Sequence, residues 1–156
     1  MEILEYHALS PADRARFTEQ IDRGDWSAAH YLARRLREGT LRALCGPDAE
    51  VLLLAEGGEL LAFCTLSDND EIDAPELTPW IGFVYTFPAH RGRRHSGRLI
   101  AYALKKARRA GHAYAYLSSD EVGLYEKYGF VPFRRMATVW GHESQVYRRA
   151  LDDIAP

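Results

Sequence analysis

Hydrophobic and polar residues follow two periods along the chain, one typical of helices and one typical of strands. Apolar positions at helical spacing predict helices over residues 12–22 and 26–37. Ser10 and Pro11 favour the start of the first helix, as N-cap and first helical residue. Asp25 is in the position to cap the second helix.

Apolar runs with turn residues between them predict the strands. The runs 51–56 and 60–66 flank Gly57 and Gly58, a pattern that strongly favours a β-hairpin. The nearly continuous apolar run 80–87 predicts a strand in the centre of a sheet. The remaining predictions are strands at 2–7, 113–117, 130–140 and 143–149, an irregular stretch at 41–49 and a short helix at 120–128.

This order of elements predicts an α/β (α+β) fold. A strand, a helix and a strand across residues 80–117 imply a parallel pair joined by a right-handed crossover. The other pairs are expected to be antiparallel, which gives a mixed, mostly antiparallel central sheet with helices on both faces. A chain of 156 residues without an internal repeat or linker is expected to form one domain, 1–156.

Composition excludes several classes of function. The net charge of -2 argues against general nucleic-acid binding, because such proteins carry a wide basic surface. We find no signal peptide or membrane span, so no membrane association and a cytoplasmic protein are expected. Cys45 and Cys64 fit no metal motif, and reduced core thiols are favoured over a disulfide or a nucleophile. The histidines share no metal spacing, so no metal site is predicted.

The segment 86–111 carries the main chemical signal. It reads TFPAHRGRRHSGRLIAYALKKARRAG, a glycine- and arginine-rich loop followed by an amphipathic helix that Ser96 is expected to cap. Free N–H groups at a helix start bind anions, and residues 77–119 contain no Asp or Glu. The segment therefore predicts a pocket for a phosphate-rich ligand, although a solvated basic helix face is the alternative.

Two motifs carry a resemblance to a known family. HRGRRHSGRLI lies on this loop and helix, and LYEKYGF occupies residues 124–130, across a predicted strand. Together with the element order, they resemble the GCN5-related N-acetyltransferase (GNAT) superfamily over nearly the whole chain. The resemblance implies acetyl-CoA as co-substrate, no metal, an amine as acceptor and direct attack in a ternary complex.

The resemblance also implies where acetyl-CoA binds. The central strand would splay after a bulge, and the backbone of Val84, Tyr85 and Thr86 would hold the pantetheine arm and the acetyl carbonyl. Ser118 stands where the family often has an asparagine. The pyrophosphate would lie on a loop formed by Arg91, Gly92, Arg93, Arg94, His95, Ser96 and Gly97. Arg94 and Ser96 replace family glycines, so Arg94 is expected at negative φ unless the loop is strained.

Acetyl transfer requires a base for the amine and an acid for the departing thiolate. Tyr125 falls at the family's tyrosine position and is the predicted acid; Tyr128 is the competing phenol, with core packing as the alternative for either. The acidic loop 67–76 is the source of the base, with Glu71 the first choice and Asp70 the second. Such a carboxylate can act through water, hold the substrate ammonium or be a solvated loop charge.

The sequence thus predicts an N-acetyltransferase acting on the primary amine of a small molecule or on an exposed protein amine. A small-molecule acceptor is favoured. A non-catalytic acyl-CoA-binding regulatory module is the alternative, and a nucleic-acid binder is disfavoured by the net charge. The final hairpin is where a homodimer could form.

Overall fold

The computed structural model describes all residues from Met1 to Pro156 and contains seven strands and four α-helices. The strands are β1 (Glu2–Glu5), β2 (Glu50–Glu56), β3 (Glu59–Ser67), β4 (Trp80–Thr86), β5 (Tyr114–Ser118), β6 (Val131–Ala137) and β7 (Glu143–Ala150). The helices are α1 (Pro11–Asp22), α2 (Ser27–Glu38), α3 (Leu41–Cys45) and α4 (His95–Arg109). Short 3-10 turns lie at Tyr6–Ala8, Pro88–His90 and Glu126–Tyr128.

The seven strands form one sheet in the order β1-β2-β3-β4-β5-β7-β6. Every neighbouring pair is antiparallel except β4 and β5, which are parallel and are connected through α4. This arrangement confirms the predicted mixed, mostly antiparallel sheet with one parallel pair. None of the helices is both long and apolar enough to cross a membrane.

Helices cover both faces of the sheet, because successive residues of a strand point to opposite sides. In β2, Leu52 packs in a core with Leu99 of α4 on one face. The adjacent Leu53 packs on the other face with Phe17 of α1 and Leu32 of α2. All five side chains are at most 1% exposed, so the two layers are fully formed cores.

Two local predictions are confirmed. Pro11 begins α1, and the Ser10 hydroxyl accepts a hydrogen bond from the Asp13 N–H at 3.2 Å. The β2–β3 connection is a tight turn in which Gly57 and Gly58 have φ of +58° and +82°. Positive φ at both central residues matches the right-handed twist of a hairpin, and this is why glycine occupies both.

The start of α2 differs from the prediction. Trp26, rather than Asp25, is the N-cap residue, and it makes no side-chain cap. Asp25 instead accepts a hydrogen bond from the Tyr85 hydroxyl and receives no capping bond. A tertiary partner has therefore taken the carboxylate that local spacing assigned to the helix end.

Two other element predictions are wrong in part. Residues 41–49 are not all irregular, since Leu41–Cys45 forms α3. The helix expected at 120–128 is reduced to the turn Glu126–Tyr128. Gly123 and Gly129 have φ of +85° and +89°, a left-handed backbone that breaks a helix on both sides of that turn.

Candidate active site

A β-bulge in β4 creates the site. Phe63 of β3 pairs with Tyr85, whereas Thr65, two residues on, pairs with Gly82, three residues back. One extra residue in β4 is thus accommodated, and Phe83 has a left-handed φ of +50°. Such a bulge bends the strand and increases its twist.

The bend separates β4 from β5. Their only paired residues are Trp80 and Tyr116, so beyond Trp80 the two parallel strands diverge. Successive N–H groups of a strand point to opposite edges. The Phe87 N–H points to β3, where it donates a hydrogen bond to the Leu61 carbonyl oxygen at 3.1 Å. The amides of Val84 and Thr86 therefore face the opening, whereas the Tyr85 amide faces β3.

The loop before α4 presents a row of free amides. The N–H groups of residues 92–97 make no backbone hydrogen bond, and the first such bond of the helix runs from the Arg98 N–H to the Arg94 carbonyl oxygen. Gly92 and Arg94 have φ of +83° and +60°. Left-handed residues between right-handed ones turn successive amides to one side, which makes an anion-binding nest at a helix N-terminus.

One sequence prediction about this loop is wrong, because Arg94 is the N-cap residue in place of Ser96. Of the two alternatives predicted for Arg94, the loop takes the strained one, with positive φ. The left-handed turn at Arg94 leads directly into α4, which begins at His95. Ser96 consequently lies inside the first turn, where its amide joins the row of free donors.

The side chains of the loop have different surroundings. Arg93 and Arg94 are exposed beside the free amides. Arg91 is turned toward β4, where its Nε donates to the Thr86 carbonyl oxygen at 2.9 Å. The His95 ring is only 4% exposed, and neither ring nitrogen has a hydrogen-bond partner. Residue 95 can therefore reach a phosphate through its amide but not through its ring.

A cavity of about 1020 Å³ occupies the opening between β4 and β5 and extends toward α2. It brings together five residues that the sequence analysis proposed for the site: Asp70, Glu71, Val84, Ser118 and Tyr125. The side chains of residues 91–97 do not line it. The site thus has two parts, an amide-rich anion site at the helix start and a cavity through the sheet.

Tyr125 lies on the α4 side of the cavity. Its ring is 8% exposed and belongs to the core that includes Leu99, packing edge-on against Phe130 at 6.4 Å between ring centroids. Burial raises the pKa of Tyr125 to about 12, so the phenol is protonated at every physiological pH. Tyr128 does not line the cavity; instead, a Cβ added to Gly97 would lie 3.0 Å from its ring.

Asp70 lies on the opposite side, directly over Gly82. A Cβ at that glycine would be 2.6 Å from the carboxylate Oδ1, so only glycine allows the carboxylate to lie there. Burial raises the pKa of Asp70 to about 7, with a smaller contribution from the charge of Glu71. Glu71 itself accepts a hydrogen bond from the Ser118 hydroxyl at 3.0 Å, which holds its carboxylate near the end of β5.

The turn between β6 and β7 closes the cavity, and the sequence analysis did not detect this role. Strand β6 ends at Ala137 and not at Trp140 as predicted. The Val139 N–H donates to the Glu71 carbonyl oxygen at 2.8 Å, and Trp140 meets Tyr31 of α2 edge-to-face at 6.1 Å. Trp140 is 63% exposed, and an exposed tryptophan next to a turn glycine is the signal that could have indicated a ligand surface.

A parallel strand pair opened by a bulge, with an anion site at the start of the crossover helix, defines the acyl-CoA N-acyltransferase fold. The chain matches the model of the acetyltransferase (GNAT) family over residues 12–130, and it belongs to that family. None of the curated proteins compared matches the chain.

Solved structures share this fold along the whole chain. Aminoglycoside 6'-acetyltransferase type Ii superposes with a TM-score of 0.73 at 15% identity, covering 99% of this chain and 100% of that one. The yncA protein of Salmonella typhimurium, solved with acetyl-CoA, gives a TM-score of 0.64 at 21% identity, with 100% and 96% covered. A GNAT family acetyltransferase from Brucella melitensis, also with acetyl-CoA, gives 0.66 at 20%, with 99% and 90% covered.

Proposed function

We propose that the protein transfers the acetyl group of acetyl-CoA to the primary amine of a small molecule, by direct attack in a ternary complex. The observation that carries the proposal is the opening between β4 and β5, which an acid and a base reach from opposite faces of the sheet. Tyr125 belongs to the core on the α4 face. Leu66 also packs there, so its neighbour Thr65 points to the other face, where its Oγ1 and Asp70 both lie next to Gly82.

The chain offers acetyl-CoA two complementary surfaces. The six free amides of residues 92–97, with the exposed side chains of Arg93 and Arg94, fit a pyrophosphate. The unpaired amides of Val84 and Thr86 fit the carbonyl groups of a pantetheine arm lying along the edge of β4. Related structures with bound acetyl-CoA or coenzyme A support this choice of donor.

The chemistry then assigns a role to each group. Asp70, with a pKa of about 7, takes one proton from the acceptor ammonium, and Glu71, held by Ser118, orients that ammonium. The free amine attacks the thioester carbonyl carbon while the Val84 amide stabilises the oxyanion. As the C–S bond breaks, Tyr125 protonates the sulfur, and the second amine proton restores the phenol. The products are an N-acetyl amide, coenzyme A and the proton on Asp70, which passes to solvent.

A covalent acetyl-cysteine route is disfavoured by the same cavity. Cys45 is the only cysteine that lines it, and burial raises the pKa of its thiol to about 11. At neutral pH the thiolate, which is the nucleophilic form, is then about one part in ten thousand. No observation favours the alternative of a non-catalytic acyl-CoA-binding module.

Two measurements test the proposal. Thiol release from acetyl-CoA in the presence of primary amines must exceed the rate without amine. Calorimetry should show acetyl-CoA binding that the double change Arg93→Ala and Arg94→Ala weakens about tenfold, and more strongly at low salt. Arg109→Ala, an equally exposed arginine at the other end of α4, is the matched control and should retain affinity. Absence of acetyl-CoA binding, or of amine-dependent thiol release, would overturn the proposal.

A further inference from the structure

The charges around the cavity are all of one sign. Four carboxylates line it, and no Lys, Arg or His does so. These carboxylates are Asp70, Glu71, Asp73 and Glu121. None of them takes part in any of the ion pairs within the chain, although most of those pairs lie on open surface. The cavity therefore concentrates negative potential, and the Arg35 guanidinium lies behind its wall, 5.0 Å from the Tyr31 ring centroid.

The carboxylates form an inner and an outer pair. Asp70 and Glu71 are partly buried, near Gly82 and Ser118, whereas Asp73 and Glu121 are exposed. Beside the inner pair, the Thr65 hydroxyl is 2% exposed and has no hydrogen-bond partner. Its Oγ1 lies 3.2 Å from the same point over Gly82 that the Asp70 Oδ1 approaches. A charged group and an unsatisfied polar group thus lie together next to Gly82, which lines the cavity, as expected where a polar ligand binds.

Aromatic rings form the wall nearest α2. Tyr31 stacks on Phe83 with ring centroids 6.3 Å apart, and Trp140 meets the edge of Tyr31. Trp26, which is 36% exposed, completes this wall. Exposed indole faces beside carboxylates attract organic cations, whose charge and apolar body are both accommodated.

The number of carboxylates exceeds what a single reacting amine requires. That amine must become neutral before it attacks, and every nearby carboxylate stabilises its protonated form and so opposes this step. One base and one orienting group are sufficient for it. The outer carboxylates are useful only if the acceptor carries other cationic groups that stay charged during the reaction. An acceptor with its own carboxylate would be repelled.

Resting on the proposed function, we propose that the acceptor is a small organic polycation: a primary amine with at least one further cationic centre and no carboxylate. The reacting amine lies at Asp70 and Glu71. The second cation lies between Asp73, Glu121 and the Trp140 indole.

Three acceptors with the same carbon chain test this inference by thiol release from acetyl-CoA: cadaverine, pentylamine and aminopentanoate. The expected kcat/KM is about tenfold higher for cadaverine than for pentylamine, since exposed ion pairs and a cation–π contact each contribute modestly. Aminopentanoate should be the poorest. The preference for cadaverine should shrink as salt is added.

A matched pair of variants locates the second cation. The double change Asp73→Asn and Glu121→Gln should lower the ratio of cadaverine to pentylamine kcat/KM at least about threefold. Glu76→Gln removes an exposed charge from the same loop but outside the cavity, and it should leave the ratio unchanged. Calorimetry with acetyl-CoA checks that the double variant is folded.

Equal or better turnover of pentylamine or aminopentanoate overturns the polycation inference and leaves the proposed function intact. An unchanged ratio in the double variant overturns it as well. If no amine releases thiol although acetyl-CoA binds, the proposed function fails, and this inference fails with it.

Discussion

Replacing Tyr125 by phenylalanine removes one hydroxyl from the cavity wall and tests the acid assigned to this reaction. The ring packs against Phe130 and Tyr147, and phenylalanine keeps both contacts. We therefore expect the thermal midpoint to change little. Acetyl-CoA affinity should also be unchanged, because the hydroxyl interacts mainly with charge that develops on sulfur in the transition state.

The size of the effect follows from the pKa of the phenol. Tyr125 has a pKa of about 12, whereas a thiol has a reference pKa of about 8.5. Complete proton transfer to a free thiolate is thus uphill by roughly 5 kcal/mol at this site. The rate contribution of Tyr125 is therefore expected to be that of a hydrogen bond to the departing sulfur, and its proton crosses only as the second amine proton replaces it on the phenol. A hydrogen bond to a charged group contributes about 1.5–3 kcal/mol, which corresponds to about 10–150-fold in kcat.

The assay is steady-state thiol release with a saturating acceptor, compared across wild type, Tyr125→Phe and Tyr128→Phe. Tyr128 is the matched control, because it lies in the same motif but packs against Gly97 and outside the cavity. It should lose less than about threefold in kcat. A Tyr125→Phe enzyme within threefold of wild type would refute the reasoning, as would a loss that appears in acetyl-CoA binding and not in kcat.

Three further predictions follow from groups that the fold holds in costly states. Asp70→Asn should remove the catalytic base and yet stabilise the protein at pH 8. The pKa of Asp70 is about 7 in the folded protein, above its unfolded value. The free energy of unfolding is therefore highest below about pH 4 and falls as the pH rises through 7. Thermal midpoints at both pH values check this sign, and a gain at pH 4 as large as at pH 8 contradicts it. Arg94→Gly should raise the free energy of unfolding, measured with urea, by roughly 1 kcal/mol, since glycine takes φ of +60° without strain. A lower free energy of unfolding would contradict this. Burial, and to a lesser extent neighbouring positive charges, lowers the pKa of His95, so the folded protein loses stability as the pH falls below about 6.5. His95→Leu should remove that loss. A variant that unfolds at the same acid pH as the wild type would contradict the argument.

The sheet was largely predictable from the sequence because its signals are local. Two apolar runs around one glycine pair define β2 and β3, and a continuous apolar run identifies β4 as central. The family resemblance pointed to Tyr125 and the acidic loop pointed to Glu71, and both residues prove to line one cavity. Spacing along the chain was sufficient for the strands because each depends on neighbours in sequence.

The remaining features depend on contacts between distant segments, which periodicity does not encode. Asp25 matches a helix cap by spacing, but a hydroxyl sixty residues away takes its carboxylate. Arg94 matches no rule for left-handed backbone, and it adopts that backbone where the loop must turn its amides outward. The sequence pattern indicates that Trp140 ends a strand, and only the folded structure shows that it contacts Tyr31 of α2.

Two strained backbone positions and two polar groups in costly states lie at the site, and their positions support a function there. Phe83 and Arg94 are the two non-glycine residues with positive φ, and they lie at the strand bulge and at the amide row. Thr65 carries an unsatisfied hydroxyl beside Asp70, whose charge burial disfavours. Strained backbone and unpaired polar groups each cost about 1–3 kcal/mol and persist where the surrounding structure holds them in place. Acetyl-CoA bound along the amide row and between β4 and β5, with an amine beside its thioester, would use all four.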